Sequence, residues 1–177
     1  VPATGGCLEV LLHPKFPLAL GHRRLSLIDL SANGHQPMHF TDAGLTIVFN
    51  GEIYNYLELR KTLEHYGYTF QTESDTEVLL KAYDKWGVEA FEFLNGMFAL
   101  AIWDERKQQL VLARDHAGIK PLYYHIEGNT LFFASEMRAF QYAGKSFEEN
   151  PAWRSAFLAF GHLPEPVTTL KKVTPLP

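Results

Sequence analysis

Apolar and polar positions change their spacing several times along the N-terminal third of the chain. Residues 8–12 predict a strand, and residues 18–28 predict an extended segment interrupted by polar residues. Residues 31–40 predict a loop, because Asn33-Gly34 and Pro37 break regular structure there. The apolar run at 45–50 then predicts a short buried strand.

Two amphipathic helices are expected next. The first has one apolar face and ends at Gly67; the face consists of Tyr56, Leu59, Leu63 and Tyr66. A strand is predicted at 68–72. The second helix starts with Ser74 and Glu77 in the spacing of a capping box and ends at Gly87; its apolar stripe is Val78, Leu79, Ala82, Tyr83 and Trp86. A further short helix is predicted over 88–94.

Strand-like spacing dominates the next part of the chain. Four strands are predicted to meander over 97–134, and the first is apolar almost without interruption, which is typical of a strand buried on both faces. Residues 135–143 and 151–161 have helical patterns. This order of elements predicts an α+β fold, a four-layer αββα sandwich in which helices cover two antiparallel sheets.

Composition narrows the classes of protein that fit. The length suits one domain with a sizeable core, and a net charge of -4 gives no reason to expect a nucleic-acid partner. No apolar run is long enough to span a membrane. The single cysteine, Cys7, rules out an internal disulfide framework and favours a reducing cytoplasm. Because the sequence starts at Val1 and ends in a basic, proline-containing stretch, we expect a fragment of a longer protein.

Asn50-Gly51 is the first candidate for chemistry, and it has two interpretations. Between a strand and a helix, this dipeptide is a common turn signal. The alternative is an oxyanion hole, in which the Asn50 side-chain amide and the Gly51 N–H donate to a developing negative oxygen. Glycine also lets a substrate approach the backbone closely.

Two charged segments also have a structural and a functional interpretation. Asp75 at a predicted helix start complements the helix dipole, but it is also well placed to bind an ammonium group. Arg23-Arg24 is expected at the surface, yet an arginine at a strand end can bind both oxygens of a carboxylate. With Asn50 and Gly51, these residues would match the three polar groups of an amino acid with a side-chain carbonyl.

Metal binding and cysteine chemistry have less support. His35 and His39 are four residues apart, but Pro37 breaks the helix that would align them, so we expect no metal site. Cys7 fits a small buried hydrophobic residue. Its neighbours offer no base or positive charge that would activate a thiol.

Seven segments, in order, carry a resemblance to a known family that covers about residues 20–177. They are "LGHRRLSLIDLS", "HQPM", "VFNGEIYNYLELR", "SDTEVLLKAY", "LNGMFALAIWD", "LARDHAGIKPLYY" and "FFASEMRAF". This series resembles the glutaminase domain of glutamine-hydrolysing asparagine synthetases, which are class II glutamine amidotransferases with the N-terminal-nucleophile fold. The resemblance implies the same four-layer fold that the pattern of elements predicts.

The resemblance also implies a reaction. In this family an N-terminal cysteine attacks the side-chain amide of glutamine, its own α-amino group acts as the base, ammonia leaves, and water releases glutamate from the thioester. Ammonia then reaches a C-terminal synthetase domain, where ATP and Mg²⁺ activate aspartate. The resemblance therefore implies glutamine as substrate, no cofactor in this domain, a synthetase domain as partner, and a homodimer.

Site residues follow from the matched motifs. Arg24 corresponds to the arginine that binds the α-carboxylate of glutamine, and Asp75 to the acid that binds its α-ammonium group. Asn50 and Gly51 correspond to the oxyanion hole, and Glu52 completes the substrate-binding motif. Backbone contacts to the substrate are expected from the segment after the arginine, namely Leu25, Ser26, Leu27 and Ile28.

One departure from the family pattern concerns the nucleophile. The family cysteine precedes Gly-Ile and lies a few tens of residues before the arginine, whereas Cys7 precedes Leu8-Glu9 and lies 17 residues before Arg24. We therefore do not identify Cys7 with the nucleophile. We expect residues 1–160 to be the amidotransferase domain without its first strand, 161–177 to begin a linker to an absent synthetase domain, and the fragment to be inactive.

Two alternatives stay open from the sequence. One is a non-catalytic scaffold domain, as in relatives of the β-lactam synthetase type. The other is an amidotransferase with a different acceptor, since the acceptor would be chosen by a domain that the sequence does not contain.

Overall fold

The computed structural model describes residues 8–23, 34–143 and 147–177. The chain divides into two units, Val1–Ala113 and Arg114–Pro177. Among the described residues, the first contains a hairpin, a four-stranded sheet and two α-helices, and the second a three-stranded sheet and two α-helices. Helices combined with antiparallel strand pairs in both units confirm the predicted α+β class.

The first unit begins with an antiparallel hairpin. Its strands are β1 (Leu8–Leu12) and β2 (Ala19–Arg23). The strand predicted at 8–12 is confirmed, and the described part of the segment predicted at 18–28 is extended. Residues 24–28 lie outside the described residues.

A four-stranded sheet forms the centre of the first unit. In spatial order its strands are β3 (Met38–Phe40), β4 (Leu45–Ile53), β5 (Gly96–Asp104) and β6 (Gln109–Arg114). β3 lies inside the segment predicted as a loop, where its pairing with β4 overrides the local turn signals. β5 is buried from Phe98 to Asp104, as its apolar run predicts.

β4 is longer than its apolar run indicates. The interpretation of Asn50-Gly51 as a turn is wrong, because β4 continues through both residues to Ile53. Asn50 lies opposite Ala99 and Gly51 opposite Phe98 of β5. The pairing with a distant strand decides the conformation of this dipeptide, and no feature of the local sequence reveals it.

Two helices pack against this sheet. α1 is Tyr56–His65 and α2 is Asp75–Trp86. Their apolar faces join the sheet in one core, whose fully buried members include Ile47, Leu63, Leu79, Ile102 and Tyr83. Gly87 ends α2 with a positive φ of 62°, as predicted. The short helix that follows, Gly87–Phe93, is a 3₁₀ helix.

The strand predicted at 68–72 does not form. The N–H groups of Gln71 and Thr72 donate to the Glu77 carboxylate, and the carbonyl oxygen of Thr69 accepts a hydrogen bond from Lys81. Side chains of α2 therefore bind the backbone groups that a neighbouring strand would otherwise pair.

The second unit is built on a three-stranded sheet. In spatial order its strands are β8 (Thr130–Ala134), β7 (Tyr123–Glu127) and β9 (Thr174–Pro175). Its helices are α3 (Met137–Tyr142) and α4 (Ala152–Phe160). The predicted four-strand meander is thus two hairpins in two separate sheets.

The segment 161–177, expected to begin a linker, packs into this second unit. Leu170 and Val173 are buried with Phe140, and β9 pairs with β7. The predicted domain boundary at residue 160 stays a prediction. Across the described residues, no helix combines the length and apolar character needed to cross a bilayer.

Candidate active site

The C-terminal half of β4 carries three of the predicted site residues. Successive side chains of a strand point to opposite faces, so Phe49 enters the core while Asn50 is exposed. Glu52, two residues on, lies on the same face as Asn50. The exposed Asn50 and the half-buried Glu52 therefore lie on the face of β4 opposite to Phe49 and Ile53, which are buried in the core.

The backbone of β4 presents a set of N–H groups along one edge. In an antiparallel strand every second residue directs its N–H to the same edge. The Phe49 N–H donates to Oε1 of Gln36 at 2.6 Å, and the Ile53 N–H donates to Oδ2 of Asp75 at 3.0 Å. The Gly51 N–H lies between them on that edge, which faces away from β5.

Two glycines let β4 and β5 approach each other closely at this point. A Cβ atom at Gly51 would lie 2.2 Å from the Met97 carbonyl oxygen, and one at Gly96 would lie 2.3 Å from the Glu52 carbonyl oxygen. Both distances are far below van der Waals contact with backbone atoms that cannot easily move. Gly51 is thus required by strand packing, independently of any chemistry.

The chain is held firmly where it leaves β4. The Asn55 side chain donates to the carbonyl oxygen of Phe93 and accepts from the N–H of Asn95, both at 2.9 Å. The Tyr54 N–H donates to the carbonyl oxygen of Asn95 at 2.7 Å. Asn55 lies in the matched segment "VFNGEIYNYLELR", but the sequence alone assigns it no role.

Asp75 is the first residue of α2 and is 5% exposed. Burial raises its pKa, the N–H groups of Ile53 and Thr76 oppose that shift, and the nearby Glu52 carboxylate adds to it. A net rise shows that the burial and the neighbouring negative charge outweigh the hydrogen bonds. A cation bound here would offset this cost.

Glu77, one half-turn further along α2, has a different environment. Burial opposes its ionisation, but the Lys81 ammonium group and the hydrogen bonds from Gln71 and Thr72 hold its pKa below the usual value. Ser74 caps the helix by accepting from the Glu77 N–H at 3.2 Å. The reciprocal half of the predicted capping box is absent from the bonds described, since the Ser74 N–H donates to Oγ1 of Thr72.

Gln36 is a residue that sequence reasoning missed. It is 6% exposed, and its amide connects β4 to the start of α2 by accepting from Phe49 and donating to Oγ1 of Thr76 at 3.5 Å. Its "HQPM" segment was part of the resemblance and could have drawn attention to it.

The structure brings Asn50, Gly51, Glu52 and Asp75 together through the Ile53–Asp75 hydrogen bond. The remaining predicted residues lie outside the described residues, and their roles stay predictions: Arg24, Leu25, Ser26, Leu27, Ile28 and Cys7. Within residues 8–23, 34–143 and 147–177, no cluster of three or more His, Cys, Asp or Glu side chains could hold a metal ion.

Comparison with known proteins gives a consistent result. The family described as glutamine amidotransferase domain matches residues 9–177. An asparagine synthetase (glutamine-hydrolyzing) of Bacillus subtilis is 46% identical over 161 residues, covering 89% of this chain and 25% of the relative. A putative asparagine synthetase of Methanocaldococcus jannaschii is 37% identical over 173 residues, covering 88% of this chain and 33% of the relative.

Solved structures extend this similarity to the fold. The glutamine phosphoribosylpyrophosphate amidotransferase of Bacillus subtilis, solved with ADP and GMP, superposes with a TM-score of 0.62 at 28% identity, covering 74% of this chain and 30% of that one. The chain spans a quarter to a third of the length of the curated relatives described above. Because the family match covers nearly all of the sequence, the chain belongs to the glutamine amidotransferase domain family.

Proposed function

We propose that the chain is the glutaminase domain of an asparagine synthetase-type amidotransferase, which hydrolyses glutamine to glutamate and ammonia. The observation that carries the proposal is the edge of β4, where the Gly51 N–H lies beside Asn50 and next to a buried Asp75. The similarity to asparagine synthetases supports the same conclusion.

Each polar group of glutamine has a partner in this proposal. Asn50 and Gly51 donate to the oxygen of the side-chain carbonyl as it becomes an oxyanion. Asp75, with Glu52 nearby, binds the α-ammonium group, and this positive charge offsets the burial of the Asp75 carboxylate. Arg24 binds the α-carboxylate, and the backbone of the segment from Leu25 to Ile28 lines the site.

The nucleophile in this proposal is an N-terminal cysteine, a role that we do not assign to Cys7. Its thiolate attacks the amide carbon after the α-amino group has taken the thiol proton. The tetrahedral intermediate holds its negative oxygen against Asn50 and Gly51. The protonated α-amino group then returns its proton to the amide nitrogen, and the intermediate collapses to a thioester as neutral ammonia leaves. Water hydrolyses the thioester to glutamate and regenerates the thiol.

The proposal for the whole protein goes further than the chain. Ammonia would serve a C-terminal synthetase domain that uses ATP and Mg²⁺ to amidate aspartate, in a cytoplasmic homodimer, with no cofactor in the present domain. A scaffold domain without glutaminase activity would have no need of a buried acid with a raised pKa beside the Gly51 N–H. The identity of the acceptor depends on residues outside this chain.

Glutamine hydrolysis by the full-length protein tests the proposal. Replacing Asn50 with Ala removes one oxyanion donor and is expected to lower kcat by about two to three orders of magnitude. Arg24→Ala is expected to weaken glutamine binding by about 2–5 kcal/mol through loss of a charge-assisted contact.

Asn129→Ala is a matched control, because Asn129 is an exposed amide in the turn between β7 and β8. Wild-type turnover in Asn50→Ala would show that the Asn50 side chain is not an oxyanion donor. Absence of hydrolysis by the full-length wild-type protein would overturn the proposed function.

A further inference from the structure

Gln36 closes the edge of β4 beyond the end of its neighbouring strand. The pairing of β3 with β4 ends at Met38 and Ile47. Two residues later the Phe49 N–H donates to Oε1 of Gln36 at 2.6 Å, so a side-chain amide takes the place of the next strand residue. The other end of that amide donates to Oγ1 of Thr76.

Two connections therefore join β4 to the start of α2. One runs from Phe49 through Gln36 to Thr76, and the other runs directly from Ile53 to Asp75. Both use N–H groups on the same edge of the strand. The three residues between them, Asn50, Gly51 and Glu52, are fixed at both ends relative to α2.

The two connections act on opposite ends of the ligand in the proposed site. Gln36 holds the peptide that precedes Asn50, one of the oxyanion donors, and also contacts the residue that follows Asp75. It thereby fixes the separation between the donors for the side-chain carbonyl and the acceptor for the α-ammonium group. In glutamine this separation is longer by one methylene than in asparagine.

We propose that Gln36 is a positioning residue that sets this separation and so makes the site select glutamine over the shorter asparagine. This inference rests on the proposed function, because it requires that the ligand be an amino acid with a side-chain amide. Gln36 itself touches neither the substrate nor the nucleophile; it acts through Phe49 and Thr76.

Burial gives the Gln36 amide its influence. Because Gln36 is only 6% exposed, water has little access to replace a hydrogen bond that its amide loses. Methionine has nearly the shape of glutamine but cannot accept from Phe49 or donate to Thr76. In Gln36→Met the three-residue segment from Asn50 to Glu52 loses its connection to α2 at the Asn50 end, while the Ile53–Asp75 connection remains.

The test is calorimetric titration of the 177-residue chain with L-glutamine and with L-asparagine. One methylene in a fitted site is worth about 10- to 200-fold in discrimination, so the wild-type chain should prefer glutamine by at least about tenfold. Gln36→Met is expected to lower this preference by roughly tenfold, mainly because the binding of glutamine becomes weaker. Thr76→Val removes the hydroxyl that accepts from the Gln36 amide, and it should also lower the preference for glutamine.

Two controls separate positioning from stability. Leu63→Ala removes a fully buried side chain of α1 and destabilises the core, but it leaves both connections intact and should preserve the preference. Gln141→Met makes the same chemical change at an exposed position of α3 and should change neither binding nor stability.

The outcomes decide between the two proposals. A wild-type preference in Gln36→Met, or an equal loss of preference in Leu63→Ala, would overturn the positioning role alone. If Gln36→Met does not fold, an unchanged preference in Thr76→Val overturns it. No preference for glutamine over asparagine in the wild-type chain would overturn this inference, whereas the proposed function is decided by glutamine hydrolysis in the full-length protein.

Discussion

Asp75 and Glu77 lie two residues apart at the start of α2, and both are more than nine-tenths buried. Their pKa values nevertheless move in opposite directions. Glu77 has the Lys81 ammonium group, two backbone N–H groups and the Thr72 hydroxyl around it, and its pKa is lowered. Asp75 has backbone N–H groups and a second carboxylate, and its pKa is raised.

The difference separates a structural carboxylate from one suited to binding. Glu77 is fully used in organising the segment before α2, because its oxygens hold Gln71 and Thr72. Asp75 is placed by the fold in a position that costs free energy to ionise. Such a cost is typical of functional sites, where a ligand supplies the missing charge.

The largest effect is expected from Lys81→Met, which removes the cation from Glu77. An uncompensated buried charge costs about 3–5 kcal/mol, so urea unfolding should show a loss of that size. The Lys81 ammonium also lies over the rings of Phe40 and Phe70, at 5.4 and 4.6 Å, and methionine keeps much of this packing.

Lys85→Met is the control for this change, because Lys85 is exposed on the same helix and its ammonium contacts only the Tyr66 ring among the contacts described. It should lose less than about 1 kcal/mol. Equal losses in the two variants would show that Glu77 does not depend on its ion pair.

The second effect concerns Asp75→Asn, which keeps the size of the side chain but removes its charge. Glutamine binding should weaken by about 2–5 kcal/mol, because the α-ammonium group loses its counter-charge. Titration calorimetry measures the change, and Asp42→Asn, at an exposed acid of the first unit, is the control. Wild-type affinity in Asp75→Asn would leave this residue as a helix-start acid only.

Acidification should separate the two carboxylates. Asp75 becomes neutral as the pH falls through its raised pKa, so glutamine affinity should decline there by up to about tenfold per pH unit. The stability contributed by Glu77 is present above its ordinary pKa and is lost only as the pH falls through its lowered folded value. Binding measured across pH should therefore weaken before this part of the unfolding free energy does; the reverse order would contradict the contrast.

The smallest effect is expected from Ser74→Ala, which removes the side-chain cap at the start of α2, just before Asp75 and Glu77. Loss of the bond from the Glu77 N–H should cost about 1 kcal/mol of unfolding free energy. Glutamine affinity should not change, since the described hydrogen bonds of Ser74 go to Thr72 and Glu77 and none goes to the Asp75 carboxylate or to β4. A large loss of affinity would mean that the cap also orients Asp75.

Sequence patterns predict the elements of this protein best where the determinants are local. The start of α2 at Ser74, its end at Gly87 and the buried β5 all follow from chemistry within a few residues. The location of Asp75 at the first turn follows equally from the cap.

The parts that could not be predicted depend on distant partners. Asn50-Gly51 looks like a turn until Ala99 and Phe98 are placed opposite it, and the 68–72 segment looks like a strand until Glu77 and Lys81 bind its backbone. Assignments for Arg24 and Leu25–Ile28 come from the resemblance alone. The bridging bonds of Gln36 span 13 and 40 residues, which no local pattern reveals.

The close approach of Gly51 and Gly96 affects how natural variation in this family should be interpreted. Selection for a foldable sheet alone is enough to retain glycine at both positions, because any side chain there would collide with the backbone of the partner strand. A copy that had lost its activity long ago would still keep Gly51. Asn50, whose side chain the sheet does not require, is the position where such a loss would first leave a trace.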